Sequence, residues 1–213
     1  MCPGTGRRAI LVGWAALLGV TLLVPASAAR AEVIDAAPDR FVAGLADRVL
    51  TTLADRSEPV EQRLRRVDAL VAESFDLARI ARIALGRYWR TASETERHEF
   101  ALLFKAYVLN SYGRRFNAYA QRRLRVAGAR PVDGGMAVES YVEGGDTPIR
   151  LDWRLSRSEQ GWRVLDVAVE GVSLLVTYRN EFATIIERSG GRLTGLVDEL
   201  RHRVATERAQ LES

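Results

Sequence analysis

The stretch Gly161 to Phe182, GWRVLDVAVEGVSLLVTYRNEF, changes its hydrophobic period in mid-course, and that change constrains the fold more than any other feature of the chain. Its first half alternates, with Trp162 and Val164 on one face and Leu165, Val167 and Val169 on the other. Period-2 alternation of β-branched and aromatic residues suits a half-buried strand, because successive Cβ atoms leave a pleated backbone on opposite sides. From Leu174 the apolar residues return at helical spacing instead: Leu174, Tyr178, Phe182 and Ile186, with Leu175 and Ile185 beside them. Gly171 stands at the change, where a residue without Cβ can take positive φ or let another group approach the backbone. A strand that pivots at one residue into an amphipathic helix needs a sheet to join and a helical layer to pack on.

The chain before this stretch supplies both. Pro38 is placed for a first helical turn, and Phe41, Leu45, Val49 and Leu53 follow on one face. Pro59 opens a second helix carrying Val60, Leu64, Val67, Leu70 and Val71. Asp76 is a suitable N-cap for a short helix through Leu77, Ile80, Ala81 and Ala84, which Gly86 would end. Ser93 with Glu96 forms a capping box for a long helix bearing Phe100, Leu103, Phe104, Tyr107, Val108 and Tyr112, running to about Tyr119. The period then becomes 2. Strands are expected at Arg122–Val126, around Met136–Val142, and at Ile149–Leu155, with Leu151 and Trp153 inward and Arg150 and Asp152 outward. Pro131–Gly135 and Gly144-Gly145 read as turns, and short turns make neighbouring strands antiparallel. The expectation is one α+β domain over residues 32–213: helices about 38–120, a four-stranded antiparallel sheet about 122–170, and two helices about 173–207 packing on it.

Residues 1–31 read differently. Arg7-Arg8 precedes an uncharged apolar run from Ala9 to Val24, and Pro25 and Ala26-Ser27-Ala28-Ala29 follow as a small-residue cleavage region. This is the pattern of a signal peptide, with cleavage after Ala28 or Ala31, and the run is short for a spanning helix. Cys2 would leave with it, and the mature chain would hold no cysteine. The basic balance also resides largely there. The whole chain is +4, but removing Arg7, Arg8 and Arg30 leaves 28 basic against 27 acidic residues, so no nucleic-acid partner is indicated.

Catalytic chemistry finds little support. His98 and His202 lie among charged residues on expected helices, and His98-Glu99 lacks the second histidine of a helical zinc motif. Gly171-Val172-Ser173-Leu174-Leu175 lacks the closing glycine of a nucleophile elbow, so Ser173 reads as a helix N-cap. No phosphate-cradling loop or metal cluster is present, and no cofactor is expected. Asp166 and Glu170 are the carboxylates an enzyme on this scaffold would use.

FDLARIARIALGRYWR at Phe75–Arg90, the aromatic helix after Ser93, and above all the segment Asp166-Val167-Ala168-Val169-Glu170-Gly171-Val172-Ser173-Leu174 with Tyr178-Arg179 and Phe182 closely resemble the MlaC or toluene-tolerance family. The likeness runs from about Pro38 to Val204 with the motifs in order. It implies a monomeric periplasmic phospholipid carrier that shuttles lipids between an inner-membrane Mla ABC transporter and an outer-membrane lipoprotein–porin complex, with the phospholipid as cargo. It also implies an acyl-chain pocket between sheet and helices. Moving two acyl tails into water would cost on the order of 20 kcal/mol, so such a pocket should be deep and apolar, of roughly 1,000 Å³. The residues expected to line it are Phe75, Ile80, Ile83, Leu85 and Tyr107 from the helices, Leu151, Trp153, Val167 and Val169 from the strands, and Val172, Leu175 and Tyr178 at the pivot. Arg87, Arg90 and Arg179 are candidates for docking acidic partners. The competing readings are a carrier of hopanoid or another lipid, and a lipid-free adaptor whose interior is fully packed.

Overall fold

A computed structural model describes residues 37–113 and 122–211. The expected signal peptide and the end of the long helix toward Tyr119 lie outside the described residues. Helix α1, Pro38–Ala54, starts with its proline in the first turn, where the missing N–H is no loss. Helix α2, Val60–Ser74, follows, then α3, Leu77–Leu85, a 3₁₀ turn at Gly86–Arg90, and α4, Glu94–Gly113. The local signals act as read. The Asp76 carboxylate accepts from the Arg79 N–H at 3.1 Å, and Ser93 and Glu96 exchange the reciprocal bonds of a capping box.

Five strands follow, β1 Arg123–Val132, β2 Gly135–Glu143, β3 Ile149–Ser158, β4 Gly161–Val169 and β5 Val172–Ser173, in a single antiparallel sheet of order β1-β2-β3-β4-β5. Helices α5, Leu174–Arg188, and α6, Leu193–Leu211, complete the chain. The α+β class is as expected, but the sheet has five strands rather than four, and β1 continues through Pro131 to Val132, leaving Asp133-Gly134 as the turn. Pro131 is tolerated because β1 is an edge strand, where one N–H can be spared. The fifth strand is two residues long, too short for alternation to mark it. It exists because the pivot is a hairpin: Val169 pairs with Val172 across Glu170-Gly171, both at positive φ (49° and 81°). That geometry is the two-residue turn whose twist matches the strands. Nothing stands near the position a Gly171 side chain would take, so the glycine serves the dihedral angle and not a close approach.

A second departure lies within β4. Leu155 pairs with Val164 and Trp153 with Val167, so the strand slips by one residue at Leu165 in a β-bulge. Directly paired residues share a face, so the bulge puts Val164 and Val167 on the same side, where strict alternation separates them. That face packs under α1, where Val42 and Leu45 meet Val138, Leu155 and Val164. A second core gathers Ala81, Leu85, Phe100, Phe104, Phe182, Ile186 and Leu200 from α3 to α6.

Candidate functional site

Among the described residues the outer edge of β4 is paired at two places. Near its start the linker after α2 reaches it, with Phe75 bridging Val164 and the Asp76 N–H donating to the Val164 carbonyl at 3.0 Å. At its end β5 pairs with Ala168 and Val169. Between these caps, along the bulged segment Leu165–Val167, a pocket opens between the two cores. Its walls are Val71 of α2, Phe75 of the linker after it, Leu77, Ile80 and Ala81 of α3, Ala101, Phe104, Lys105, Val108 and Leu109 of α4, Leu165, Asp166 and Val167 of β4, and Leu174, Leu175 and Tyr178 of α5.

Two charged residues belong to this wall, and both turn their polar atoms to protein partners. The Lys105 ammonium lies 2.8 Å from an Asp68 carboxylate oxygen, tying α4 to α2. Asp166 accepts from the Ser173 hydroxyl at 2.5 Å and from the Leu175 N–H at 3.0 Å. The Ser173 hydroxyl in turn accepts from the Val176 N–H, so strand, pivot and helix start form one hydrogen-bonded unit. What remains facing the cavity is hydrocarbon and aromatic ring. Asp166→Ala is expected to lower stability by about 1–3 kcal/mol by orphaning the Leu175 N–H and freeing the Ser173 hydroxyl. A urea midpoint unchanged from the parent protein would show that the carboxylate does not hold this corner.

The back of the pocket is a packed aromatic cluster. Phe104 and Tyr178 meet edge to face at 5.2 Å, and both pack on Phe182, at 5.0 and 5.8 Å between ring centres. The cavity volume is about 140 Å³. A cavity of about that size holds one benzene-sized apolar body. It is far smaller than the volume two acyl tails demand, because α3, α4 and α5 draw in against β4.

Of the residues expected to line a pocket, Phe75, Ile80, Val167, Leu175 and Tyr178 stand together in this wall. The others fall elsewhere. Leu85 is buried in the helical core. Tyr107 packs on Tyr178 and accepts a hydrogen bond from Arg203, which also pairs with Glu181 and Glu199. Trp153 points into the sheet–α1 core, its indole N–H donating to the Ser140 hydroxyl at 2.9 Å. Leu151 and Val169 are paired neighbours, half-buried on the sheet. Val172 is 60 % exposed. Ile83 lines a different cavity, of about 660 Å³, whose other walls are Arg79, Arg82, Gly86, Arg87, Trp89, Arg90 and Arg179.

Residues absent from the expected wall are equally telling. Val71, Leu77, Phe104, Val108 and Leu165 were legible as apolar positions on their elements, but only the packing shows that they turn to one space. Leu165 enters through the bulge, which alternation cannot announce. Among the described residues no cluster of metal-ligating side chains occurs, and no helix is long and apolar enough to cross a membrane. His98 and His202 are both exposed.

The profile of the MlaC protein family matches residues 44–202. Among solved structures, the chain is similar to the phospholipid-binding protein from Ralstonia solanacearum, determined in complex with a phospholipid. The two are 28 % identical and superpose with a TM-score of 0.74, over 84 % of this chain and 100 % of that one.

Proposed function

The chain belongs to the MlaC protein family, and from that membership we propose that it is a periplasmic carrier of phospholipid, holding acyl chains in the pocket along the β4 edge. The observation that carries the reading is the chemistry of the wall. Among the described residues its charged groups, Lys105 and Asp166, are satisfied by neighbouring residues, so these walls offer the cavity neither nucleophile nor proton relay. Glu170 is similarly engaged, accepting from the Arg150 N–H at 2.6 Å. Such a site binds hydrocarbon and transforms nothing. The Ralstonia relative, with its phospholipid, supports the same cargo here.

Two tails require the walls to separate. The elements that face each other are joined across the pocket chiefly by apolar contact, which acyl chains replace in kind, and by the Lys105–Asp68 pair at its rim. Opening therefore exposes little new hydrocarbon to water once a lipid enters. In this reading residues 1–31 direct export and are removed, and the mature protein moves lipid between an inner-membrane ABC transporter and an outer-membrane complex.

Native mass spectrometry of the mature protein tests the proposal. A co-purifying species of phospholipid mass, released only on denaturation, is the expected result, and the intact mass places the cleavage after Ala28 or Ala31. A bare protein that stays bare after incubation with phospholipid vesicles would overturn the carrier reading.

A further inference from the structure

The larger cavity has a composition the apolar pocket does not explain. Arg79 and Arg82 from α3, Arg87 and Arg90 from the 3₁₀ turn, and Arg179 from α5 line it around Ile83, Gly86 and Trp89. Arg87 is neutralised by Glu187 at 2.6 Å and also donates to the Tyr88 hydroxyl at 2.7 Å. For Arg79, Arg82, Arg90 and Arg179 no carboxylate partner occurs among the described residues. Arg179 is brought in deliberately by the backbone. Gly86 has φ +54°, and a side chain there would stand 3.2 Å from the Arg179 Nε, so glycine leaves room for the guanidinium against the turn. Gathering four unneutralised like charges on one cleft opposes folding, and Arg79 and Arg82 repel at helical i,i+3 spacing.

We infer that this cleft is a binding site for a phosphate group. A carboxylate offers two oxygens in one plane, and a single guanidinium fork can engage both. A tetrahedral phosphate presents oxygens in several directions and can accept from forks arriving from α3, the 3₁₀ turn and α5 together. The placement suits a head group, because Ile80 in the apolar pocket and Ile83 in the cleft are one turn apart on α3, and Tyr178 and Arg179 are adjacent on α5. One turn is roughly 5 Å of rise. The head-group source rests on the carrier reading; a free phosphate or phosphomonoester would use the same chemistry without it.

The test uses the mature protein and the variants Arg82→Gln/Arg179→Gln and, independently, Arg79→Gln/Arg90→Gln, each checked by circular dichroism. All four side chains are exposed, so the core is untouched. Loading is read by native mass spectrometry from vesicles containing either dioleoylphosphatidylglycerol or dioleoylglycerol, which has the same tails without phosphate. Binding of inorganic phosphate to delipidated protein is read by calorimetry. Phosphatidylglycerol occupancy reduced at least about tenfold, the loss of one charge-assisted bond, with dioleoylglycerol unaffected, establishes the head-group source. A similar loss confined to inorganic phosphate establishes the free-phosphate source. If the parent protein binds no phosphate and both lipids load equally in parent and variants, the inference is overturned. It is equally overturned if the variants lose only retention on an immobilised polyglutamate peptide, which would make the cleft a surface for acidic protein. A parent protein that takes up neither lipid sinks the carrier reading alone, and the phosphate titration still decides this one.

Discussion

Replacing Ile80 by glutamate is expected to abolish lipid loading at neutral pH while leaving the fold in place. Ile80 is half-buried on the face of α3 that presents Leu77 and Ala81 to the same pocket. In the lipid-free protein the half-buried position lets the new carboxylate reach water, so the helix persists. Once acyl chains fill the space, the charge loses its water and gains no partner, because Asp166 and the Lys105 ammonium are already engaged. It must then take up a proton, and holding a glutamate neutral at pH 7 against an ordinary value near 4.3 costs about 4 kcal/mol. Even if movement of the side chain recovers half of that, occupancy falls at least about 30-fold. The sign of the pH dependence is fixed by the same argument. The loaded state raises the carboxyl above its lipid-free value, so lipid binding strengthens as pH falls toward that lower value and weakens as pH rises. Native mass spectrometry at pH 7 and pH 5, with Ile80→Met as the volume-matched control, checks both points. Normal loading of the glutamate variant at pH 7 would remove Ile80 from the lipid contact surface. Loss of the helical circular dichroism signal would instead make the position structural.

How far such a site can be read from residues alone depends on what each residue is asked to specify. The ends of α3, α4 and α5 were legible because their caps are local: Asp76, Ser93 with Glu96, and Ser173 each satisfy N–H groups within three residues. The strand pattern was legible for the same reason, since alternation is a property of one strand. Both failures in the sheet arise where a single residue changes the rule. The bulge at Leu165 shifts every later side chain of β4 by one face, and β5 spans a single period of the pattern that would have to repeat to announce it. Neither leaves a composition signal.

The site was harder still. Ile80, Ile83 and Leu85 sit within six residues of one amphipathic helix, and periodicity treats them as one apolar stripe. All three touch the helical core, but Leu85 is buried within it, Ile80 also faces the apolar pocket and Ile83 the arginine cleft. A helix of nine residues touches a different neighbour at each turn, and which neighbour is a fact of tertiary packing. Tyr107 illustrates the same limit from the polar side. Its ring belongs to the aromatic cluster, yet its hydroxyl is claimed by Arg203 almost a hundred residues later in the chain. Resemblance to a family predicts that a pocket exists more securely than it predicts who lines it, because the former follows from the order of elements and the latter from their contacts.

Phe182→Ala is expected to give the largest loss of stability of any single truncation near the site. The ring is fully buried and lies at the centre of a cluster, meeting Phe100 edge to face at 5.6 Å, Phe104 edge to face at 5.0 Å, and Tyr178 in a stacked arrangement at 5.8 Å. Removing it forfeits the transfer energy of a buried phenyl group and leaves a cavity, at a cost of about 3–5 kcal/mol. For a chain of this size that is a fall of roughly 10–15 °C in melting temperature. The measurement belongs on delipidated protein, because a ligand that binds only the folded state would mask the loss by mass action. Phe182→Leu, which keeps most of the volume, should cost well under half as much, and that ratio separates lost packing from lost aromatic geometry. A change below about 1 kcal/mol in the alanine variant would show that the cluster is not what braces the helical core. The consequence for function runs the other way from Ile80→Glu. Phe104 and Tyr178 are wall residues that Phe182 supports from behind, so the void opens next to the pocket and enlarges the apolar space without introducing charge. At temperatures where Phe182→Ala is still folded, it should therefore load phospholipid at least as well as the parent protein. A folded alanine variant that fails to load would mean that a rigid back wall, and not hydrocarbon volume alone, is what the acyl chains require.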